Sequence, residues 1–325
     1  ILLSAATAYM NLLRDSAILD LQRRNVEVLQ EQLRQTRDRF NVGEVTRTDV
    51  AQSESRLAAG RSSLLGAESN YTTSRSTYRQ VIGVEAGKLA AATPVDRLSP
   101  KMLSQAITEA RVVHPSVTVA QFTVDAAVLQ VKINEGALYP TLNVVGSATR
   151  GYGSTSSLTT LEQFVGSVAG QYSIPVYQGG SEYSAIRQAK ETLSQRRVDL
   201  DTAREQSQQT VVQSWGQLEA AKAQIESTQA QVAAAEIALN GVREEARVGQ
   251  RTTLDVLNAQ QELVNARVSL VTAQRDRVVA SYTLLAAVGR LSAQVLGLAV
   301  QIYDPVVHYH QVRDSWVGLR APDGR

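Results

Sequence analysis

The sequence Val248-Gly249-Gln250-Arg251-Thr252-Thr253-Leu254-Asp255-Val256 lies between two long segments that contain no proline. A close copy, Val42-Gly43-Glu44-Val45-Thr46-Arg47-Thr48-Asp49-Val50, stands 206 positions earlier in the chain. The same offset relates the next forty or so positions, through Gly83 and Gly289. A repeat of this length indicates that a whole structural unit has been duplicated.

Each copy has the pattern of a helix end followed by a helix start. Gly43 and Gly249 can adopt the left-handed conformation that ends a helix, and in each copy a threonine precedes an aspartate by three residues, as in a capping box. The sequence therefore predicts a tight turn between two antiparallel helices in each copy. The turns also carry charges that fit either solvated capping residues or a functional site: Arg47, Asp49, Arg247, Arg251 and Asp255.

Composition excludes several classes of protein. Aromatic residues make up 5% of the chain, which is too few for several closed globular cores and is typical of long packed helices. The 33 basic and 31 acidic residues nearly balance, so no excess of cations indicates a nucleic-acid partner. The absence of cysteine excludes disulfides and thiolate chemistry. No run of eighteen apolar residues occurs, so we expect no membrane-spanning helix.

No constellation in the sequence predicts an enzyme or a cofactor. His308 and His310 flank Tyr309, but no third metal ligand lies nearby, and a surface or interface role is the simpler interpretation. His114 precedes Pro115 and reads as an ordinary helix boundary.

The hydrophobic period changes from helical to alternating in one region, about 141–176. Apolar and polar residues alternate over 141–150 and again over 164–176, which predicts two strands that each have one apolar and one polar face. A strand of about ten residues is also long enough to span an outer membrane. Since an isolated hairpin is unstable, we expect these strands to pair with strands outside this sequence.

Long helices dominate the rest of the chain. Residues 181–246 predict one helix of roughly 100 Å, and the return helix carries two heptad stripes that point in nearly opposite directions. One stripe begins at Ala259 and continues through Ala287, and the other runs from Leu257 to Leu285. A helix with two opposed seams has a neighbour on each side, so several subunits could close such helices into a hollow cylinder.

The predicted fold is mainly α with one β-hairpin, built from long antiparallel coiled-coil helices. The predicted divisions are a first structural repeat over 1–82, a connector over 83–114, a second repeat over 115–289 and a C-terminal segment over 290–325. The first repeat lacks a counterpart of the second repeat's opening portion, so we expect roughly a hundred residues to precede Ile1 in the full protein.

Four motifs together give the chain a resemblance to the TolC family of outer-membrane channel proteins. They are Arg39-Phe40-Asn41-Val42-Gly43 with Thr48-Asp49-Val50, Tyr139-Pro140-Thr141-Leu142, Ile174-Pro175-Val176-Tyr177-Gln178-Gly179-Gly180, and Val248-Gly249-Gln250-Arg251-Thr252 with Leu254-Asp255-Val256-Leu257. The resemblance implies a homotrimer in the bacterial outer membrane, with a twelve-stranded β-barrel that continues into a periplasmic α-barrel. Each subunit would supply four strands, so one hairpin would belong to the absent segment.

The resemblance also implies a function and partners. Members of this family are exit ducts for drug efflux and type I protein secretion, and they dock to a periplasmic adaptor protein and an inner-membrane transporter of the RND or ABC type. The segments 83–114 and 290–325 would form an equatorial belt around the helical barrel.

Site residues follow from the resemblance position by position. Adaptor docking would fall at the helical tips, on Val42, Gly43, Thr46, Val248, Gly249 and Thr252. Asp255 would form a ring of carboxylates at the entrance, where Asn258 replaces a second aspartate found in many relatives. Gate links would involve Thr48, Asp49 and Arg251, and because Ala246 replaces an aromatic partner, Arg247 or Arg47 would substitute for it.

The competing interpretation is a soluble periplasmic coiled-coil scaffold or an adaptor protein. A scaffold explains the heptads but gives no use to the amphipathic hairpin, and an adaptor would contain more short strands than this sequence predicts.

Overall fold

A computed structural model of the chain describes residues 1–87, 89–154, 160–300 and 302–314, with the side chains of 152–154 and 160–162 excepted. In chain order its elements are α1 (Leu2–Asn41), α2 (Arg47–Ile82), a short 3-10 helix (Asp96–Leu98), α3 (Leu103–Val113), α4 (Pro115–Gly136), β1 (Thr141–Ser154), β2 (Thr160–Ser173), α5 (Ser181–Arg247), α6 (Thr253–Ala287) and α7 (Pro305–Arg313). The predicted fold class, mainly helical with one hairpin, is confirmed.

The chain divides into two compact units, one formed by 1–113 with 208–325 and the other by 114–207. These units are defined by how closely the chain packs in space, whereas the predicted repeats are defined by sequence similarity. The repeat boundaries stay a prediction.

In the first unit α6 packs against a helix on each of two sides. Its alanine seam faces α5, where Ala266 is fully buried beside Ala235 and Leu239. Its other seam faces the first repeat, where Leu257 is 2% exposed and packs among Val26, Leu29, Leu33 and Leu57. The two opposed seams predicted from the heptads are therefore both occupied.

Small residues let α1 and α2 approach closely. Ser53, Gly60 and Ala67 are buried at heptad spacing on the α2 face that meets α1. A Cβ atom at residue 60 would stand 2.7 Å from Leu29 Cδ1, so only glycine fits there without moving that side chain. The small seam predicted for the first repeat is thus the contact surface of its helical hairpin.

The connector between α2 and α3 is fixed to the helices by polar contacts. The Tyr9 hydroxyl donates to the Ala90 carbonyl oxygen at 2.6 Å and accepts from the Ala90 amide at 2.9 Å. Arg277 of α6 forms a two-pronged ion pair with Asp96, and the Arg277 Nη1 to Asp96 Oδ1 distance is 2.9 Å. Because the guanidinium stabilises the ionised carboxyl, the pKa of Asp96 lies below its usual range.

The second unit contains an antiparallel hairpin whose faces match the predicted alternation. Leu142 pairs with Tyr172, and Ser147 pairs with Ser167 on the opposite face at an Oγ–Oγ distance of 2.8 Å. The exposed apolar face carries Leu142, Val144, Phe164, Val168 and Tyr172. The other face is polar apart from Val145, Val165 and Ala169.

The strands differ from the prediction at both ends. Pairing continues to Ser154 and Thr160, so both strands extend into the stretch 151–163, which separates the two predicted strands. The second strand ends at Ser173 and not at 176, because Pro175 has no amide proton to donate to a ladder. The alternation of apolar and polar residues does not show at which residue strand pairing begins or ends.

Two helical segments have features that the sequence patterns did not predict. By length and composition the segment Leu103–Gly136, which comprises α3 and α4, is apolar enough to cross a membrane. The expectation that no helix spans the membrane stays a prediction. Within α4 the side chains of Val119, Phe122, Leu129 and Ile133 are exposed. The sequence also gave no expectation of α7, although Asp304 caps it by accepting a hydrogen bond from the Val306 amide at 2.9 Å.

Candidate functional site

The two turns at the ends of the helical hairpins have the same geometry. Gly43 and Gly249 adopt left-handed φ angles of 81° and 79°. The next amide in each turn donates back across the helix end, from Glu44 to the Arg39 carbonyl and from Gln250 to the Glu245 carbonyl, both at 2.9 Å. The predicted internal duplication is therefore visible in the backbone of both tips.

Both turns are followed by complete capping boxes. Asp49 Oδ2 accepts from the amide and the hydroxyl of Thr46 at 2.9 and 2.7 Å, and Asp255 Oδ2 accepts from the same groups of Thr252 at 2.9 and 2.8 Å. In return each threonine hydroxyl accepts from the aspartate amide. The capping prediction is confirmed, and both carboxylates have a structural role at a helix start.

These hydrogen bonds shift the titration of both aspartates. The pKa of Asp49 lies below its usual range, chiefly because the Thr46 hydroxyl donates to its carboxylate, and the Thr252 amide lowers the pKa of Asp255 most strongly. A lowered folded-state pKa means that the stabilisation is fully present above the ordinary aspartate pKa of about 4 and is lost as the pH falls through the lowered value. Both carboxylates are thus ionised at neutral pH.

The arginines at the second tip pair with glutamates of their own hairpin. Arg251 Nε lies 2.7 Å from Glu245 Oε2, which raises the pKa of Arg251, and Arg247 Nη1 lies 2.8 Å from Glu244 Oε1. In the described part of this single chain, no hydrogen bond or ion pair joins Arg251 to Thr48 or Asp49. The gate links between these residues stay a prediction.

Other predicted site residues occupy two environments. Ala246 packs beside the buried cluster that joins α5 to α6, so it contributes apolar contact at the place of the expected aromatic partner. Val42 and Val248 are each 71% exposed at the outer ends of the turns. The valines are therefore accessible to a partner, whereas Ala246 is a packing residue.

A polar link between the two repeats was not predicted from the sequence. Arg56 Nη2 of α2 donates to Asn258 Oδ1 of α6 at 2.6 Å. Leu257 packs against the first repeat immediately beside this link. The internal repeat could have drawn attention to Arg56, since its counterpart 206 positions later is Glu262, of opposite charge.

The remaining side of α6 is polar along its length. Between the two packed seams runs a stripe at alternating spacings of three and four residues, which we call the polar stripe: Asp255, Asn258, Glu262, Asn265, Ser269, Thr272 and Asp276. All seven are at least partly exposed, and every charge among them is negative. A helix packed on two sides with such a stripe between them is suited to line water.

The described residues hold no group of three or more histidine, cysteine, aspartate or glutamate side chains that could bind a metal ion. The clefts found in this part of the chain are open to solvent.

Long helical hairpins with one water-facing stripe, in a chain that also carries an amphipathic β-hairpin, define a protein of the outer-membrane channel class. The chain belongs to the outer membrane efflux protein family, whose model matches residues 1–84 and 106–290. It is accordingly an outer-membrane channel protein and not an enzyme. Membership of this family favours the channel over the soluble scaffold.

Three relatives illustrate the likeness. The outer membrane efflux protein BepC of Brucella suis biovar 1 is 42% identical over the whole of this chain, which spans 71% of BepC. The outer membrane protein TolC of Escherichia coli is 28% identical over 91% of this chain and 62% of its own length. The crystal structure of the outer membrane protein VceC of Vibrio cholerae shares the fold, with a TM-score of 0.70, 21% identity, and coverage of 88% of this chain and 69% of VceC.

Proposed function

We propose that three copies of this protein form a continuous duct through the outer membrane and the periplasm, and that the duct is the exit path of an efflux system. The observation that carries this proposal is the position of α6 between two packed seams, with the polar stripe on its free side. Repeating that arrangement around a threefold axis would bring the stripes together around a water-filled passage.

Unpaired surfaces support assembly with further copies. The exposed apolar side chains of α4 recur at heptad spacing, which suits packing against a neighbouring helix. The hairpin has free edges and one exposed apolar face, and a two-stranded sheet is unstable by itself. Joining it to strands of the same and neighbouring subunits in a closed barrel would remove the edges and place the apolar face against lipid.

We place the entrance of the duct at the helical tips. Three copies of Asp255 would form a carboxylate ring there, and the exposed turns around Gly43 and Gly249 would dock a periplasmic adaptor protein that connects the duct to an inner-membrane transporter. Since no hydrogen bond or ion pair joins Asp49 to Arg251 in the described part of one chain, their gate link would form between subunits.

The gate is tested by the double variant Asp49→Asn with Arg251→Gln in the full-length protein. Asparagine can keep accepting from Thr46, so the helix start is retained while the charges of the link are removed. We expect mean single-channel conductance in planar lipid bilayers to rise severalfold, because loss of the links shifts the closed entrance toward open states.

The matched control is Arg79→Gln, which removes an exposed arginine that pairs with Glu85 at the other end of α2. Its conductance is expected to equal that of the wild-type protein. Equal conductance of the double variant and the wild-type protein would remove Asp49 and Arg251 from the gate.

A further inference from the structure

Arg56 occupies a position on α2 that corresponds to the polar stripe of α6. Its counterpart at the offset of 206 positions is Glu262, and Asp49 corresponds to Asp255 in the same way. The two helices begin with identical capping boxes, so the same number of residues separates each cap from the arginine or the glutamate. Within the duplicated pattern, the first repeat thus presents a cation where the second presents a carboxylate.

The side chain of Arg56 crosses from α2 to the polar stripe. Its Nη2 atom lies 2.6 Å from Asn258 Oδ1, and Asn258 is one helical turn beyond Asp255 on the same face of α6. Glu262 follows one turn further on and has no hydrogen-bond or ion-pair partner among the described residues. The guanidinium is therefore held at a neutral amide of the stripe. One acidic residue lies a helical turn before that amide and another a turn after it, and Arg251 also acts on the charge of Asp255.

We propose that Arg56 sets the ion selectivity of the duct entrance by offsetting the carboxylates of Asp255 and Glu262. This inference rests on the proposed function, because it requires the polar stripe to line the passage. The Coulomb field of a guanidinium held at residue 258 opposes that of each carboxylate, and a narrow passage concentrates such fields. The entrance consequently admits small anions as well as cations.

Asn258 has a specific role in this arrangement. Its side-chain oxygen accepts from Arg56, so it fixes the position of the guanidinium without adding charge. An aspartate at residue 258 would pair with Arg56 and would use the positive charge that now offsets Asp255 and Glu262. Removal of the charge at residue 56 and addition of a carboxylate at residue 258 therefore change the net charge at this level of the passage in the same direction.

The test is the reversal potential of the full-length protein in planar bilayers across a potassium chloride gradient. We expect Arg56→Gln to raise the permeability ratio of K⁺ to Cl⁻ roughly twofold to tenfold. Arg56→Lys keeps the charge and is expected to stay near the wild-type ratio. Asn258→Asp alone is expected to raise the ratio in the same direction as Arg56→Gln, and Asn258→Asp combined with Arg56→Gln gives the highest ratio of the series.

Arg61→Gln is the matched control, since it removes an exposed arginine of α2 that lies off this face. Its ratio is expected to equal that of the wild-type protein. An unchanged ratio in Arg56→Gln, in channels that otherwise conduct normally, would overturn the role of Arg56 and leave the duct standing. A rise of the same size in Arg61→Gln would also overturn it, whereas a complete lack of channels in the wild-type protein would contradict the duct itself.

Discussion

The variant Val168→Arg is expected to prevent assembly in the outer membrane. Val168 is 83% exposed on the apolar face of the hairpin, near the middle of its strand. An arginine facing lipid near the middle of the bilayer costs about 2–4 kcal/mol in a membrane barrel, and a trimer carries that cost in each subunit. We expect the heat-modifiable trimer in the outer-membrane fraction to fall roughly tenfold or more.

The adjacent residue supplies the control. Ser167 lies on the polar face, where its hydroxyl contacts that of Ser147. Ser167→Arg places the same charge one residue away on the side proposed to face the barrel interior, so the trimer is expected to assemble in wild-type amounts. If Val168→Arg assembles as well as Ser167→Arg, the apolar face of the hairpin does not meet lipid.

The variant Leu257→Ala is expected to weaken the seam between the two repeats. Leu257 is 2% exposed and packs among side chains of both helices of the first repeat. Truncation of a buried leucine to alanine costs about 2–5 kcal/mol, because the surrounding side chains close the cavity only in part. At a fixed heating rate, we expect the denaturation midpoint of the detergent-solubilised protein to fall by roughly 3–7 °C.

Leu254→Ala makes the same chemical change one turn earlier on α6. Leu254 is 36% exposed, so the expected cost is less than half that of Leu257→Ala. Similar midpoints for the two variants would show that burial at residue 257 does not hold the repeats together.

Local sequence signals were sufficient to locate the helical tips. The glycine conformation and the threonine–aspartate cap depend only on neighbouring residues, so the turns after Asn41 and Arg247 lie where the patterns predict them. The two seams of α6 were also predictable, because heptad spacing fixes which residues share a face. What spacing could not show is which neighbour covers each seam.

Contacts between distant parts of the chain could not be predicted. Arg56 and Asn258 are 202 positions apart, and nothing in the sequence around either residue predicts that the two are in contact. The pair of Arg277 with Asp96 is a similar case, since the connector has no hydrophobic period from which its path could be inferred. For the aspartates of the tips, the sequence predicted capping and a gate together, and the contacts within one chain confirm the capping role.

Single-channel recording of the purified full-length protein in planar lipid bilayers tests the central claim most directly. A trimer whose polar stripes enclose water predicts discrete, uniform current steps that appear only with the assembled trimer. Correctly assembled trimers that insert into the bilayer and carry no current under any applied voltage would contradict the existence of the duct.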